Sequence, residues 1–178
     1  MQSDYIPRVA LVGPYNSGKT TLAYRMVTGE FCPGTRPTFC PNIFVLETPS
    51  GTRYTLMDTA GMERYHSVTT AYMRDMDIVL CCQEKSKRFE DEYMCWRQVL
   101  VSEHIDTIGH CVQVLTKADL CGEHTDCIEC SSLDGAGIET LRRLVDKLVD
   151  FTCIEKGVVQ EPVVAITGHR EGKERCCK

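Results

Sequence analysis

No apolar run in the 178-residue chain approaches the roughly 20 residues that a bilayer-spanning helix needs. The opening residues, Met1-Gln2-Ser3-Asp4-Tyr5, lack the basic-then-apolar pattern of a secretory signal, so a cytoplasmic protein is expected. Positive charge is not in excess either. Lys and Arg number 20 against 25 Asp and Glu, a net charge of −5, which argues against a general nucleic-acid binder. Internal repeats and low-complexity tracts are absent, which excludes solenoids and linker-like chains. Tryptophan occurs once, at Trp96, on an amphipathic stretch 91–103 that reads as a helix. What remains is one globular domain, long enough to bury a sizeable core.

Cysteine, by contrast, is plentiful. The 12 cysteines are scattered, and Cys81, Cys82 and Cys111 sit in apolar strand-like runs. In a reducing compartment they read as small buried hydrophobes and not as a disulfide framework. One cluster, Cys121-x2-His124-x2-Cys127-x2-Cys130, has the ligand types that zinc takes. Its spacing is not one of the usual zinc pairs, and strand residues three apart face opposite ways, so the cluster stays open as a metal site.

The most informative stretch is Gly13-Pro14-Tyr15-Asn16-Ser17-Gly18-Lys19-Thr20. It matches G-x-x-x-x-G-K-[ST], a loop whose backbone N–H groups cradle phosphate. Its flanks suit it: Arg8–Val12 reads as a buried strand, and the residues from Thr20 to about Thr28 as a helix. The turn amides and the helix dipole both favour negative charge, Lys19 suits the β- and γ-phosphates, and the Thr20 hydroxyl suits Mg²⁺. The spacing therefore points to nucleotide binding.

Along the rest of the chain, strands and helices alternate as an α/β fold with a mostly parallel sheet requires. Residues 29–41 are polar and rich in Pro and Gly. Asn42–Thr48 and Arg53–Met57 read as a hairpin turned at Pro49-Ser50-Gly51. A helix is expected near 68–74, strands at 77–82, 111–115 and 127–130, and a last helix over about 137–151. On that helix Ile138, Leu141, Leu144, Val145 and Leu148 have the spacing of a core face. Ligands in such sheets sit beyond the carboxyl ends of the strands, where each polar motif falls.

Those motifs are Gly13–Thr20, Asp58-Thr59-Ala60-Gly61 followed by Glu63-Arg64-Tyr65, Thr116-Lys117-Ala118-Asp119, and Cys130-Ser131-Ser132-Leu133. In this order they resemble the motif set of Ras-superfamily small GTPases over roughly residues 7–153, most like a divergent Rab. The resemblance implies a P-loop NTPase fold, a small G domain with about six mostly parallel strands flanked by helices. It implies a G domain over 1–153 and an irregular tail over 154–178. It also implies GTP and GDP as ligands with Mg²⁺ as cofactor. Gly13, Tyr15, Asn16, Ser17, Gly18, Lys19, Thr20 and Thr21 would then surround the phosphates, with Phe31 against the ring system. Thr116, Lys117, Asp119 and Leu120 would meet the base with Ser131, Ser132 and Leu133. A carboxylate at Asp119 can accept two hydrogen bonds from guanine, which adenine cannot supply there. Thr20, Thr38 and Asp58 would serve the metal, with Thr35 a less well-spaced competitor for Thr38. Gly61 would bond the γ-phosphate, making Lys19, Thr38, Gly61 and residue 62 the catalytic group. Effectors, an exchange factor and an activating protein would dock on 29–42 and 58–74.

The chain departs from this pattern at four places. Residue 62 is Met, where most small GTPases carry a water-orienting glutamine, and Tyr15 adds bulk beside the phosphates. Slow hydrolysis is expected. Only ten positions separate Asp119 from Glu129, too few for the helix the family places there, so 121–126 reads as a tight loop. Thr stands at 116 in place of the usual Asn, as in the Rho branch. The terminal Arg175-Cys176-Cys177-Lys178 is similar to the paired-cysteine prenylation signal of Rab proteins. Two lipid chains would hold the protein on the cytosolic face of an endomembrane. A switch in vesicle trafficking is the leading reading; a non-cycling pseudo-GTPase and a Rho- or Ras-like signalling GTPase are the alternatives, with an ATPase or kinase poorly served by Thr116–Asp119.

Overall fold

The computed structural model describes residues 5–34, 36–60, 75–85, 110–120 and 127–158. They form a six-stranded sheet with strands β1 (Arg8–Val12), β2 (Asn42–Glu47), β3 (Arg53–Asp58), β4 (Ile78–Glu84), β5 (Cys111–Thr116) and β6 (Ile128–Glu129). Two α-helices accompany it, α1 (Lys19–Thr28) and α2 (Ile138–Glu155), with one 3-10 turn at Ala118–Leu120. The strand order is β2-β3-β1-β4-β5-β6. Only the hairpin pair β2–β3 runs antiparallel; β3–β1, β1–β4, β4–β5 and β5–β6 are parallel.

Burial explains which residues became which strand. The central strands β1 and β4 lie under cover on both faces over Val9–Val12 and Ile78–Cys82, and those stretches are continuous apolar runs. The outer strand β2 alternates instead. Phe44 and Leu46 lean on the main core, while Ile43 and Val45 are exposed. On one side of the sheet Val9, Leu11, Tyr54, Leu56, Ile78, Leu80 and Val114 pack with Leu22, Ala23 and Met26 of α1 and with Leu141, Val145 and Val149 of α2. Each such side chain taken from water contributes about 1.5–3 kcal/mol. On the other side Ala10, Val12, Met76, Val79 and Cys81 form a second cluster.

Several boundaries differ from the sequence expectation. Strand β4 runs on to Glu84 instead of ending at Cys82, because its last residues pair in register with Gln113 to Thr116 of β5. The core face of α2 is Leu141, Val145 and Val149 with Thr152 and Cys153, a stripe at i, i+4, i+8 that carries the helix past Phe151 to Glu155. Leu144, expected in that face, is half-buried and lies beside it. Cys81 and Cys82 are buried as expected, whereas Cys111 is half-buried. The helices expected near 68–74 and 91–103, and the loop 121–126, lie outside the described residues.

Far from the carboxyl ends of the strands, Asp77 gathers three donors. It accepts from the Tyr5 hydroxyl, from the Arg8 N–H at 2.8 Å and from Lys156 Nζ. Burial, then the Asp77 carboxylate, pushes the Tyr5 hydroxyl up to about 12.

Candidate functional site: a phosphate cleft and a base-side loop

The turn after β1 is shaped by one tight approach. Gly13 has φ +141, and a Cβ there would lie 2.0 Å from the backbone oxygen of Cys82 on β4. No other residue can pass that strand so closely. The chain then turns through Asn16 at φ 62 and Gly18 at φ 81, where α1 begins with no side-chain cap. Its first amides are thus left for a ligand, at the end of the helix that favours anions.

Lys19 is 5% exposed and holds the loop from inside, its Nζ donating to Pro14 O at 2.7 Å and Ser17 Oγ at 3.1 Å. Burial pushes this ammonium below the ordinary lysine value, only partly offset by Cys82 and Asp58. Beside it three oxygens converge. Thr20 Oγ1 lies 2.8 Å from Thr38 Oγ1 and donates to Asp58 Oδ1 at 3.1 Å. Asn42 Nδ2 donates to Asp58 Oδ2 at 3.2 Å. Asp58 is fully buried, and desolvation raises its carboxyl above the ordinary value against the pull of Thr20, Asn42, Lys19 and Thr38.

The three-oxygen group suits Mg²⁺. All its donors are hard oxygens, and cis oxygens on an octahedral Mg²⁺ at about 2.1 Å stand about 3.0 Å apart, close to the 2.8 Å between the Thr20 and Thr38 hydroxyls, with the Asp58 carboxylate beside them. A cleft over this group is lined by Tyr15, Asn16, Gly18, Thr21, Arg36 and Pro37, with Lys19, Thr20, Thr38, Thr59 and Lys117.

The base side is built differently. Thr116, at the end of β5, donates its single hydroxyl proton to Ser17 O at 2.6 Å, with Gln83 O 3.0 Å away. That bond lashes the loop to the P-loop. Lys117 follows in the left-handed region at φ 54, its Nζ donating to Glu84 Oε2 at 2.8 Å. The side chain of Asp119 accepts from Ser131 Oγ at 2.8 Å. A second pair, Lys85 to Glu129 at 2.8 Å, lies below, with side chains 4% and 16% exposed. Backbone bonds from Lys85 N–H to Thr116 O, Ala118 N–H to Cys130 O and Cys130 N–H to Leu115 O close the arrangement.

A family model described as Ras of Complex, Roc, domain of DAPkinase matches residues 8–119, more than half of the chain. The chain belongs to the Ras superfamily of small GTPases. Among individual proteins it is Rab-like. It is 30% identical over 122 residues to Ras-related protein RABA2d of Arabidopsis thaliana, covering 66% of this chain and 55% of that one. Ras-related protein Rab11C of Lotus japonicus is 29% identical over 161 residues, covering 86% and 72%. Ras-related protein SEC4 of Saccharomyces cerevisiae is 30% identical over 125 residues, covering 66% and 56%. The chain spans about half the length of several such curated relatives.

The small-GTPase fold brings most of the expected residues together. Tyr15, Asn16, Gly18, Lys19, Thr20, Thr21, Thr38 and Lys117 line one cleft, with Gly13, Ser17 and Asp58 directly behind it. Ser131 is buried against Asp119, and Ser132 is half-buried beside it. Phe31, Leu120 and Leu133 are exposed and are not among the cleft-lining side chains. Thr35, Gly61, Met62, Cys176 and Cys177 lie outside the described residues. Cys121 and His124 do too. Cys130 is buried in the main core with its thiol pushed up to about 12, while the Cys127 thiol meets Gln113 Oε1 at 3.4 Å. Among the described residues no group of three His, Cys, Asp or Glu side chains is placed to hold a metal, and no helix is long and apolar enough to cross a membrane.

Sequence reasoning missed Glu84, Lys85 and Arg36. The first two were hidden because β4 was expected to stop two residues earlier. A cation two residues before Thr38 was the available signal for the third.

Proposed function

We propose that this Rab-like protein is a guanine-nucleotide switch that binds GTP and GDP with Mg²⁺, hydrolyses GTP slowly, and docks effectors in its GTP state during membrane trafficking. The observation that carries the reading is the Thr20–Thr38–Asp58 oxygen group beside a buried Lys19 at the open end of α1. Those three residues would hold Mg²⁺, Asp58 through water, and the metal when bound would neutralise phosphate charge. Lys19 and the turn amides hold the phosphates, and Thr116, Lys117, Asp119 and Ser131 to Leu133 hold the base.

Thr38 belongs to 29–42 and Asp58 to 58–74, so loss of the γ-phosphate releases both segments together. That order–disorder change is what effectors, an exchange factor and an activating protein read. Paired lipids on Cys176 and Cys177 would hold the switch on the cytosolic face of an endomembrane, a reading supported by the likeness to Ras-related protein Rab11C.

The test is the nucleotide that copurifies, together with competition of GTP and ATP for labelled GDP. Bound GDP or GTP, displaced by GTP and not by ATP, supports the reading. A protein that arrives empty and takes up no GTP with Mg²⁺ sinks it. Replacing Met62 with Gln should speed single-turnover hydrolysis about tenfold or more, since a thioether neither donates nor strongly accepts a bond to the attacking water. An unchanged rate removes Met62 as the cause of slow turnover.

A further inference from the structure

We propose that Arg36 is a catalytic residue of this site, an arginine supplied from within the chain to the transferring phosphoryl group; the inference rests on the guanine-nucleotide reading above. Three cations line the cleft, and two are already engaged. Lys19 is bound to Pro14 O and Ser17 Oγ, and Lys117 to Glu84. Among the described residues no carboxylate pairs with Arg36, which lines the same cleft. Its neighbours hold it there. Pro37 fixes its own φ and confines residue 36 to extended backbone. Thr38, one step further, is anchored 2.8 Å from Thr20 Oγ1. The exposed arginine is thus carried on a short stiff tether at the cleft, and among the described residues no carboxylate holds its five-donor fork.

Its chemistry fills the gap left at residue 62. In hydrolysis the oxygen of water bonds to the γ-phosphorus while the bond from that phosphorus to the β–γ bridging oxygen breaks. The electron pair stays on GDP, and the water proton leaves with inorganic phosphate. Charge grows on the bridging and γ oxygens, where a planar cation gives two parallel hydrogen bonds. A glutamine orients the water and an arginine stabilises the charge, so a chain with Met62 and Arg36 keeps the second device without the first. Thr38 and Arg36 would move as one, so the arginine is withdrawn once the γ-phosphate has gone.

The experiment uses the full chain and three variants, Arg36→Ala, Arg36→Lys and Lys19→Ala. Single-turnover GTP hydrolysis and the release rate of labelled GDP, with and without aluminium fluoride, are read on each. Arg36→Ala should slow hydrolysis about tenfold or more, below the roughly 10³–10⁵ of a fully enclosed arginine finger because the side chain is partly in solvent. It should abolish the slowing of GDP release by aluminium fluoride. Arg36→Lys should not restore either, because a point charge lacks the fork. Hydrolysis at the wild-type rate in Arg36→Ala overturns the proposal and leaves Arg36 as a surface cation for an acidic partner. A wild-type chain that binds GTP without turnover and ignores aluminium fluoride overturns it as well. Loss of all nucleotide binding in the wild type is a different failure, that of the guanine-nucleotide reading itself, and Lys19→Ala marks what such a loss looks like.

Discussion

The two halves of the nucleotide site handle charge in opposite ways. On the phosphate side, Lys19 and Asp58 are withdrawn from water, and each is shifted toward its neutral form by desolvation that its neighbours only partly offset. On the base side, Lys117 meets Glu84 and Lys85 meets Glu129, both at 2.8 Å. The phosphate half is therefore built for a charge not yet present and costs stability in the empty protein. The base half is complete in itself and is stiff before any base arrives. On the proposed function, a site assembled this way would recognise the base by fit and answer to the phosphates by movement.

The largest expected effect breaks the phosphate half outright. Gly13→Ala sets a Cβ against Cys82 O, so the turn must leave β4. Denaturant unfolding should show a loss of roughly 3 kcal/mol, and labelled GDP should no longer bind; retention of binding would mean that the turn can reach around β4. Next comes the base half. Glu129→Gln strips the buried Lys85 of its carboxylate and should cost about 3 kcal/mol, as breaking a buried pair does. The release rate of GDP should rise with it through Ser131 and Asp119. If the cost is under about 1 kcal/mol, the pair is solvated and the contrast between the halves weakens.

The smallest effect sharpens the comparison, and it has a sign. Burial raises the Asp58 carboxyl in the folded, ligand-free protein, so the native state binds that proton more tightly than the unfolded chain. The contribution is therefore present in full below the ordinary carboxylate value and is lost as pH rises through the raised one. Lys19 acts in another window. Its lowered value makes stability grow as pH rises from that value toward the ordinary lysine value. Asp58→Asn should make the empty protein melt higher at neutral pH, with the gap to wild type closing toward pH 4, while Mg²⁺ with GDP no longer raises its melting temperature fully. Wild type melting above Asp58→Asn at neutral pH without ligand would show that the carboxylate is not a cost.

Much of this was legible in the chain. The P-loop spacing, the hairpin at Pro49–Gly51 and the apolar runs of β1, β4 and β5 named the fold, because buried parallel strands and phosphate turns each demand a narrow choice of residues. Thr20, Thr38 and Asp58 could be listed, but not their closeness, which depends on β3 ending beside α1. Other features were not legible at all. Glu84 reads as the first polar residue after a strand until β5 pairs with it. Cys153 extends the core face of α2 only because that helix continues beyond Phe151, where it was expected to end. The meeting of Tyr5, Asp77 and Lys156 joins residues 151 positions apart, and no local pattern encodes such a contact.

That last meeting has a further consequence. Because Tyr5 and Lys156 grip the same carboxylate, the two ends of the described fold lie side by side, away from the carboxyl ends of the strands. Such a unit can be cut open at an exposed loop and rejoined end to end, or set as a cassette within a longer chain, without disturbing the cleft.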